Sequence, residues 1–232
     1  MAEKKVVNNT FGALAKISQA ITSELYLDDI LKLIVTVTAE ALGFKICSLM
    51  LLNENGELVI KASQSISEEY LKKPPLKIGE GIAGKVVQEK KPVVILNILD
   101  DKFYKYKEIA KKEGLVSLLC VPLIVKGKVI GALDVYTDKL HKFKKNEIDI
   151  LTMVANQAAV VIENTELIVK SKVIAEELES RKLIERAKGI LMKKNNLSED
   201  AAYRLIQRQA MDKRKSMKEV AEAIILVDDM RK

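Results

Sequence analysis

The sequence predicts an α+β sensor, an antiparallel sheet with helices, joined by a long helix to an all-α three-helix module. Three observations carry this. Between Lys45 and Thr137, β-favouring apolar runs alternate with tight-turn residues. From Lys145 the chain holds neither Pro nor Gly until Gly189, and its last quarter repeats apolar residues at helical spacing behind two serine caps.

Residues from about Phe11 to Leu42 read as two helices. Leu14, Ile17 and Ile21, then Ile30, Leu31, Ile34, Val37, Thr38 and Ala41, recur at helical spacing, with Asp28 as a cap for the second. Lys45 to Leu52 and Glu57 to Ser63 read as paired strands about Asn55-Gly56, a hairpin signal because both residues tolerate positive φ. Pro74-Pro75 ends a short helix, and Ile78 to Gly84 prepares another, to about Glu89. A short strand, Val93 to Leu96, precedes an acidic and aromatic loop from Asn97 to Tyr106. Ser117 to Val125 and Val129 to Thr137 pair across Lys126-Gly127-Lys128, which leaves helices on one side of the sheet or at its ends.

The helix from Lys145 to about Met192 is too long for one small domain. Val160, Leu167, Ile174 and Arg181 fall seven apart, with Leu178 at the intervening seam, so a parallel homodimeric coiled coil is expected. Asn195-Asn196 ends it. Ser198 caps a helix from Glu199 to about Lys213, and Ser216-Met217-Lys218-Glu219 is a capping box for the last.

With 232 residues, 48% of them apolar and 31% charged, the chain has the means for a folded core and is not a disordered polymer. The residues from Met1 to Asn9 are polar and no later run reaches the length of a membrane span, so a cytoplasmic location away from membranes is expected. Cys47 and Cys120 stand alone in apolar stretches, as inert core thiols do, and have no metal-site spacing. His141 is the only histidine and sits among lysines, a poor candidate for haem or metal. No nucleophile-base pair and no phosphate loop is visible, so no catalytic residues and no cofactor are assigned. From Leu178 onward 14 Lys and Arg stand against 9 Asp and Glu, a net +5 of the chain's +7, which points to a polyanionic partner.

Residues from about 10 to 168 resemble a GAF domain. The resemblance lies in Gly79-Glu80-Gly81-Ile82-Ala83-Gly84-Lys85-Val86, Val121-Pro122-Leu123, Ile130-Gly131-Ala132-Leu133 and the pattern from Phe143 through Glu147, Leu151 and Ala155 to Gln157-Ala158. Residues from about 178 to 232 resemble an ANTAR domain, through Ile184, Ala187-Lys188-Gly189-Ile190-Leu191-Met192, Leu197-Ser198, Ala201-Ala202-Tyr203, Leu205, Ala210-Met211, Val220-Ala221 and Ile224-Ile225. The connecting helix, 145–192, overlaps both.

The second resemblance implies a dimer that binds paired RNA hairpins in messenger leaders near terminators and promotes antitermination. Arg204 and Arg208 lie one turn apart, Arg214-Lys215 follow beside Ser216, and cations of this kind bind phosphates while guanidinium planes engage splayed bases. Gly189, with Lys188 beside it, would let the backbone approach RNA, although close helix packing explains a helical glycine equally well. Arg204 and Arg208 are also spaced to pair with Asp200 and Asp212. Tyr203 is expected in the bundle core.

The first resemblance implies a small-molecule ligand between one sheet face and the overlying segments. Ile78, Gly79, Gly81 and Ile82 are the backbone candidates and Asn97, Asp100 and Asp101 the polar ones; the glycines' usual work is to make a turn. The cyclic-nucleotide signature of GAF domains is absent as a set, and two cysteines do not make the three-cysteine site of the free methionine sulfoxide reductases. Two other readings stay open: a redox enzyme on this scaffold using Cys47 and Cys120, and a helix-turn-helix that binds duplex DNA.

Overall fold

The computed structural model describes Gly12, Ala15, residues 27–64 and residues 67–230. The first of the two expected helices lies, Gly12 and Ala15 apart, outside the described residues. The chain divides into two compact units, Met1–Glu166 and Leu167–Lys232.

The first unit opens with helix α1 (Leu27–Leu42) and the hairpin β1 (Ile46–Leu52) and β2 (Glu57–Ser63). Helix α2 (Glu68–Leu71), strand β3 (Leu76–Lys77), helix α3 (Gly81–Glu89), strand β4 (Val93–Ile95) and helix α4 (Lys107–Glu113) follow, and strands β5 (Ser117–Val125) and β6 (Lys128–Thr137) complete it. All six strands form one antiparallel sheet in the order β3-β2-β1-β6-β5-β4. Asp28 lies inside the first turn of α1 rather than before it. At the first hairpin only Gly56 has positive φ, and Asn53 clasps the turn by accepting from the Asn55 and Glu57 amides at 3.0 and 2.8 Å. At the second, Lys126 and Gly127 both have positive φ, which matches the twist of the flanking strands.

Helices cover both faces of the sheet, not one. Side chains alternate along each strand, so Cys47, Leu49, Leu119, Val121, Leu133 and Val135 join one core with Ile30, Leu31 and Ile34 of α1 and Leu151, Ala155 and Ala158 of the long helix. Ile46, Met50, Leu118, Cys120, Ala132 and Tyr136 point the other way, to Tyr70, Ile82, Ala83, Val86 and Ile98. Burying a Leu or Ile side chain is worth about 1.5–3 kcal/mol, so each face has to be covered for the sheet to persist.

Helix α5 (Lys145–Asn195) is continuous for 51 residues, its early turns in the first unit and the rest in the second. Between Leu167 and Leu178 its apolar side chains are exposed: Leu167 by 49%, Ile174 by 64% and Leu178 by 53%. In the second unit α6 (Glu199–Lys213) and α7 (Met217–Asp229) complete three helices. Ser198 caps α6 by accepting from Ala201 N, and Ser216 with Glu219 forms the full capping box of α7. Ala187, Ile206, Ala221 and Ile225 make the core, and Arg186 pairs with both oxygens of Asp229 at 3.1 and 2.9 Å.

The buried stripe of α6 is Ala202, Ile206 and Ala210, with Leu205 only partly buried and Tyr203 exposed. Tyr203 is thus outside the core in which its position suggests it. Ile206→Ala should cost about 2–5 kcal/mol through the cavity it leaves, and Leu205→Ala markedly less. Denaturant unfolding of the two variants reads the difference.

Candidate functional site

On the sheet face beneath α2, α3 and the loop after β4, the first unit encloses a cavity of about 30 Å³. Asp134 stands on β6 between its cross-strand neighbours Ser48 and Cys120, and Tyr70, Tyr104, Tyr136 and Lys73 close over it. Asp134 Oδ1 is buried there without a hydrogen-bond partner among the described residues, while the Ser48 hydroxyl faces that of Tyr70 and the Tyr104 hydroxyl that of Tyr136. Burial pushes the Asp134 carboxyl up to about 6, against the opposing pull of the Cys120 thiol, the Lys73 ammonium and the Tyr136 hydroxyl. Burial likewise lowers the Lys73 ammonium to about 8, with Asp134 and Glu113 pulling the other way. Lys73 Nζ lies 3.4 Å from the centre of the Tyr70 ring, and the Tyr70 and Tyr136 rings meet edge to face at 6.3 Å.

In the second unit, Arg204 and Arg208 project from α6 into solvent, Arg208 with its side chain 81% exposed and 3.9 Å from Asp212. Arg214 ends α6 in the left-handed conformation and is exposed. Lys215 pairs with Glu219 at 2.7 Å, and Ser216 is occupied with the cap. Lys188 departs from the expectation. Its side chain is only 8% exposed and its ammonium is held by Glu185 and Glu199 at 2.9 and 2.7 Å, which ties α5 to α6 rather than offering a charge outward. A side chain on Gly189 would meet nothing within 4 Å, so helix packing does not require that glycine and the surface beside it is open.

Residues 26–162 match the GAF domain family and residues 173–225 the ANTAR domain family. The chain belongs to the GAF family and carries an ANTAR domain after the GAF domain. The transcriptional regulatory protein PdtaR of Mycobacterium tuberculosis is 52% identical over 52 residues, 22% of this chain and 25% of that protein. The Nif-specific regulatory protein of Herbaspirillum seropedicae is 26% identical over 159 residues, 66% of this chain and 29% of that protein. The chain thus spans between a quarter and three tenths of these relatives. Among solved structures, the GAF domain of a phosphoenolpyruvate-protein phosphotransferase from Coxiella burnetii is 28% identical, covers 68% of this chain and 95% of its own, and superposes with a TM-score of 0.61. The two domains and these relatives put the chain among regulatory proteins.

Of the ligand candidates in the GAF domain, the structure brings only Gly81 and Ile82 to the cavity. Gly81 starts α3 with φ +64°, and a side chain on Gly84 would lie 2.4 Å from the Lys77 carbonyl oxygen, so these glycines make the turn and its close packing. Ile78 and Gly79 lie exposed beside it. Asn97, Asp100 and Asp101 serve their own loop. Asn97 donates to Asp100 at 2.6 Å and accepts from Leu99 N, while Asp101 accepts from the Phe103 and Tyr104 amides at 2.8 and 2.9 Å. Their polar side chains are spent on local turns, and Asp101 reaches the cavity only by fixing Tyr104.

The two cysteines are fully buried on opposite faces of the GAF sheet, Cys47 in one core and Cys120 in the other. Burial first, and Asp134 second, push both thiols well above their ordinary range, which suppresses the thiolate that thiol chemistry needs. His141 is engaged with Glu147 at 2.9 Å at the start of α5.

Sequence reasoning missed Asp134, Ser48, Tyr70, Lys73 and Tyr104. One signal was present: Asp134 is the lone charge between Val129 and Tyr136, on a strand that otherwise reads as core.

Raising the folded carboxyl of Asp134 from 3.8 to about 6 has a defined sign. Between those values the folded protein holds a proton that the unfolded chain has released, so stability falls as pH rises from about 4 to 6 and stays reduced above. Asp134→Asn should therefore be more stable than the parent at pH 7.5, by up to about 3 kcal/mol, with the gain fading towards pH 4. Urea unfolding at stepped pH measures it.

Proposed function

We propose that the protein is a small-molecule-controlled RNA-binding regulator that promotes transcription antitermination by holding paired hairpins near terminators, acting as a homodimer. The observation that carries this reading is an ANTAR domain, 52% identical over 52 residues to a protein named a transcriptional regulator, attached to a GAF domain with a polar cavity. Arg204, Arg208, Arg214 and Lys215 form the phosphate-facing surface, with Ser216 and the open backbone at Gly189 beside it. Lys188 is left out because its ammonium is buried between Glu185 and Glu199, whereas Lys215 pairs with Glu219 at the surface. Ligand in the GAF cavity acts on the same sheet that α5 packs against through Leu151, Ala155 and Ala158, and α5 is covalently continuous with the first helix of the ANTAR bundle.

If this surface binds RNA, Arg208→Ala should weaken hairpin affinity about tenfold and lower the salt slope by about one counterion, with stability within about 0.5 kcal/mol of the parent. Lys218→Ala is the control, since Lys218 is directed to Glu179 at 3.3 Å. Equal losses for both would leave only a diffuse positive field. A competition between a two-hairpin RNA and duplex DNA of equal charge, at 150 mM salt, separates RNA binding from a helix-turn-helix reading. Preference for the duplex would overturn the proposal.

The dimer rests on the exposed seam of α5. Single apolar side chains on a surface are ordinary, but Val160, Leu167, Ile174 and Leu178 repeat along one helix and are each more than a third exposed in the protomer. Ile174→Asp with Leu178→Asp should give a monomer by light scattering, with the far-ultraviolet signal of the sensor retained. An unchanged dimer mass would place the interface elsewhere.

A further inference from the structure

We infer that a second copy of this chain seats its α5 in the groove between α5 and Tyr203, so that the dimer contact reaches into the ANTAR domain and buries that tyrosine. This rests on the reading of the protein as a homodimer and adds to it a surface on α6, the helix that carries Arg204 and Arg208.

Tyr203 is the only aromatic residue of the second unit, and it is 43% exposed. With Ile174, Leu178 and Ile184 it lines an open groove of about 840 Å³ along α5. At 3.6 residues a turn, Leu167, Ile174, Leu178, Arg181 and Glu185 project within about 60° of one direction around that helix. Ile184 stands about a quarter-turn aside, on the flank where Lys188 meets Glu199 of α6. The seam is therefore the floor of the groove and Tyr203 one wall of it. A helix laid along Ile174 and Leu178 meets the tyrosine ring.

Charge selects the occupant. The groove presents Glu176, Glu177 and Glu185 against the single base Arg181, a balance that repels a phosphate backbone although Arg204 is next in the chain. The same charges fit a copy of their own helix. With Ile174 and Arg181 at heptad position d and Leu178 and Glu185 at a, Glu177 falls at g and Lys182 at e. In a parallel pair each g residue faces the e residue five places on, which sets Glu177 against the partner's Lys182, and Arg181 adjoins the partner's Glu185 in the next layer. An antiparallel pair matches g with g and e with e, and loses these contacts. Among the described residues Glu177, Arg181 and Lys182 make no ion pair within the chain, whereas their neighbours Glu179, Glu185 and Arg186 pair with Lys218, Lys188 and Asp229.

Because one repeat supplies both halves of each contact, the interface is isologous and closes as a dimer. Tyrosine suits it, with a broad apolar ring to bury and a hydroxyl that stays at the wet rim. The contact also matters to α6 itself. Its buried stripe is Ala202, Ile206 and Ala210, two of them small, so the helix is held to its own bundle by little area. A partner helix against Tyr203 gives α6 a second packed side, next to the row of Arg204 and Arg208. The dyad then supplies one such row from each copy, one for each hairpin of a pair.

The test is sedimentation equilibrium of the full-length chain over a concentration series. Tyr203→Ala should raise the dimer dissociation constant at least fivefold, with an unchanged far-ultraviolet signal where parent and variant are both dimers. Glu177→Lys should raise it at least threefold, and Lys182→Glu added to that variant should restore the parent value; a swap without rescue would overturn the parallel register. Arg181→Cys should oxidise to a covalent dimer, because d residues face each other across a parallel seam, while Cys47 and Cys120 are buried and do not compete. In that linked dimer Tyr203→Ala should leave hairpin-RNA affinity within about twofold; a loss of tenfold or more would make the tyrosine an RNA contact and overturn the assignment. If Ile174→Asp with Leu178→Asp gives monomers while Tyr203→Ala leaves the dissociation constant unchanged, the seam dimer stands and the contact on α6 falls. A parent chain that is monomeric at every concentration removes both.

Discussion

An antiparallel sheet that is apolar on both faces has to be covered twice, and this constraint organises the GAF domain. Because side chains alternate with a period of two, a shift of one residue in β1, β5 or β6 would exchange the two cores. Register is therefore pinned from both sides. Cys47 and Leu49 meet α1 and α5 while Ser48 and Met50 meet the segments from α2 to α4, and the same alternation turns Leu133 and Val135 one way and Asp134 and Tyr136 the other. The position of Asp134 follows from this register alone.

A carboxylate at that place is expensive. Removing it from water raises its pKa to about 6, and neighbours that stabilise it are themselves buried or partly buried. A core built for stability alone would use an apolar residue on β6. Retaining Asp134 with one of its own oxygens unpaired costs folding stability and leaves a polar group on the cavity wall. The two faces of the sheet divide the work: one anchors α5 through close packing of alanines and leucines, and the other holds the polar cavity.

The ANTAR domain solves a different problem, that of a small core. Ala187, Ile206, Ala221 and Ile225 bury little area, so the helices are also fastened at their ends by the Ser198 and Ser216 caps and by ion pairs of Lys188, Arg186 and Lys194 with acidic partners. Of these cations only Lys188 is withdrawn from the surface, while Arg186 and Lys194 stay exposed but paired. Arg204, Arg208 and Arg214 are exposed as well.

Local chemistry was legible because it acts within a few residues. Helix α6 begins at Glu199 and ends at Lys213 where its cap and spacing placed it, the box at Ser216 closes as written, and the strands follow their β-branched runs. The sequence alone determined most of the elements, the two families and the charged tail, but not strand β3 or helix α4. It did not determine which polar residues share a site. Asn97, Asp100 and Asp101 were attractive in sequence because polar residues cluster there, yet each is satisfied within its own loop. Lys188 was attractive as a cation beside Gly189, yet two glutamates consume its charge, one of them eleven residues away. Ser48, Tyr70, Tyr104 and Asp134 are scattered, the first and last 86 residues apart, and are joined only when β1 pairs with β6 and the segments around α2 and α4 fold over them. Burial and the loss of hydrogen-bond partners are properties of that assembly, so the tertiary structure alone decided where the cavity lies and what charge it holds.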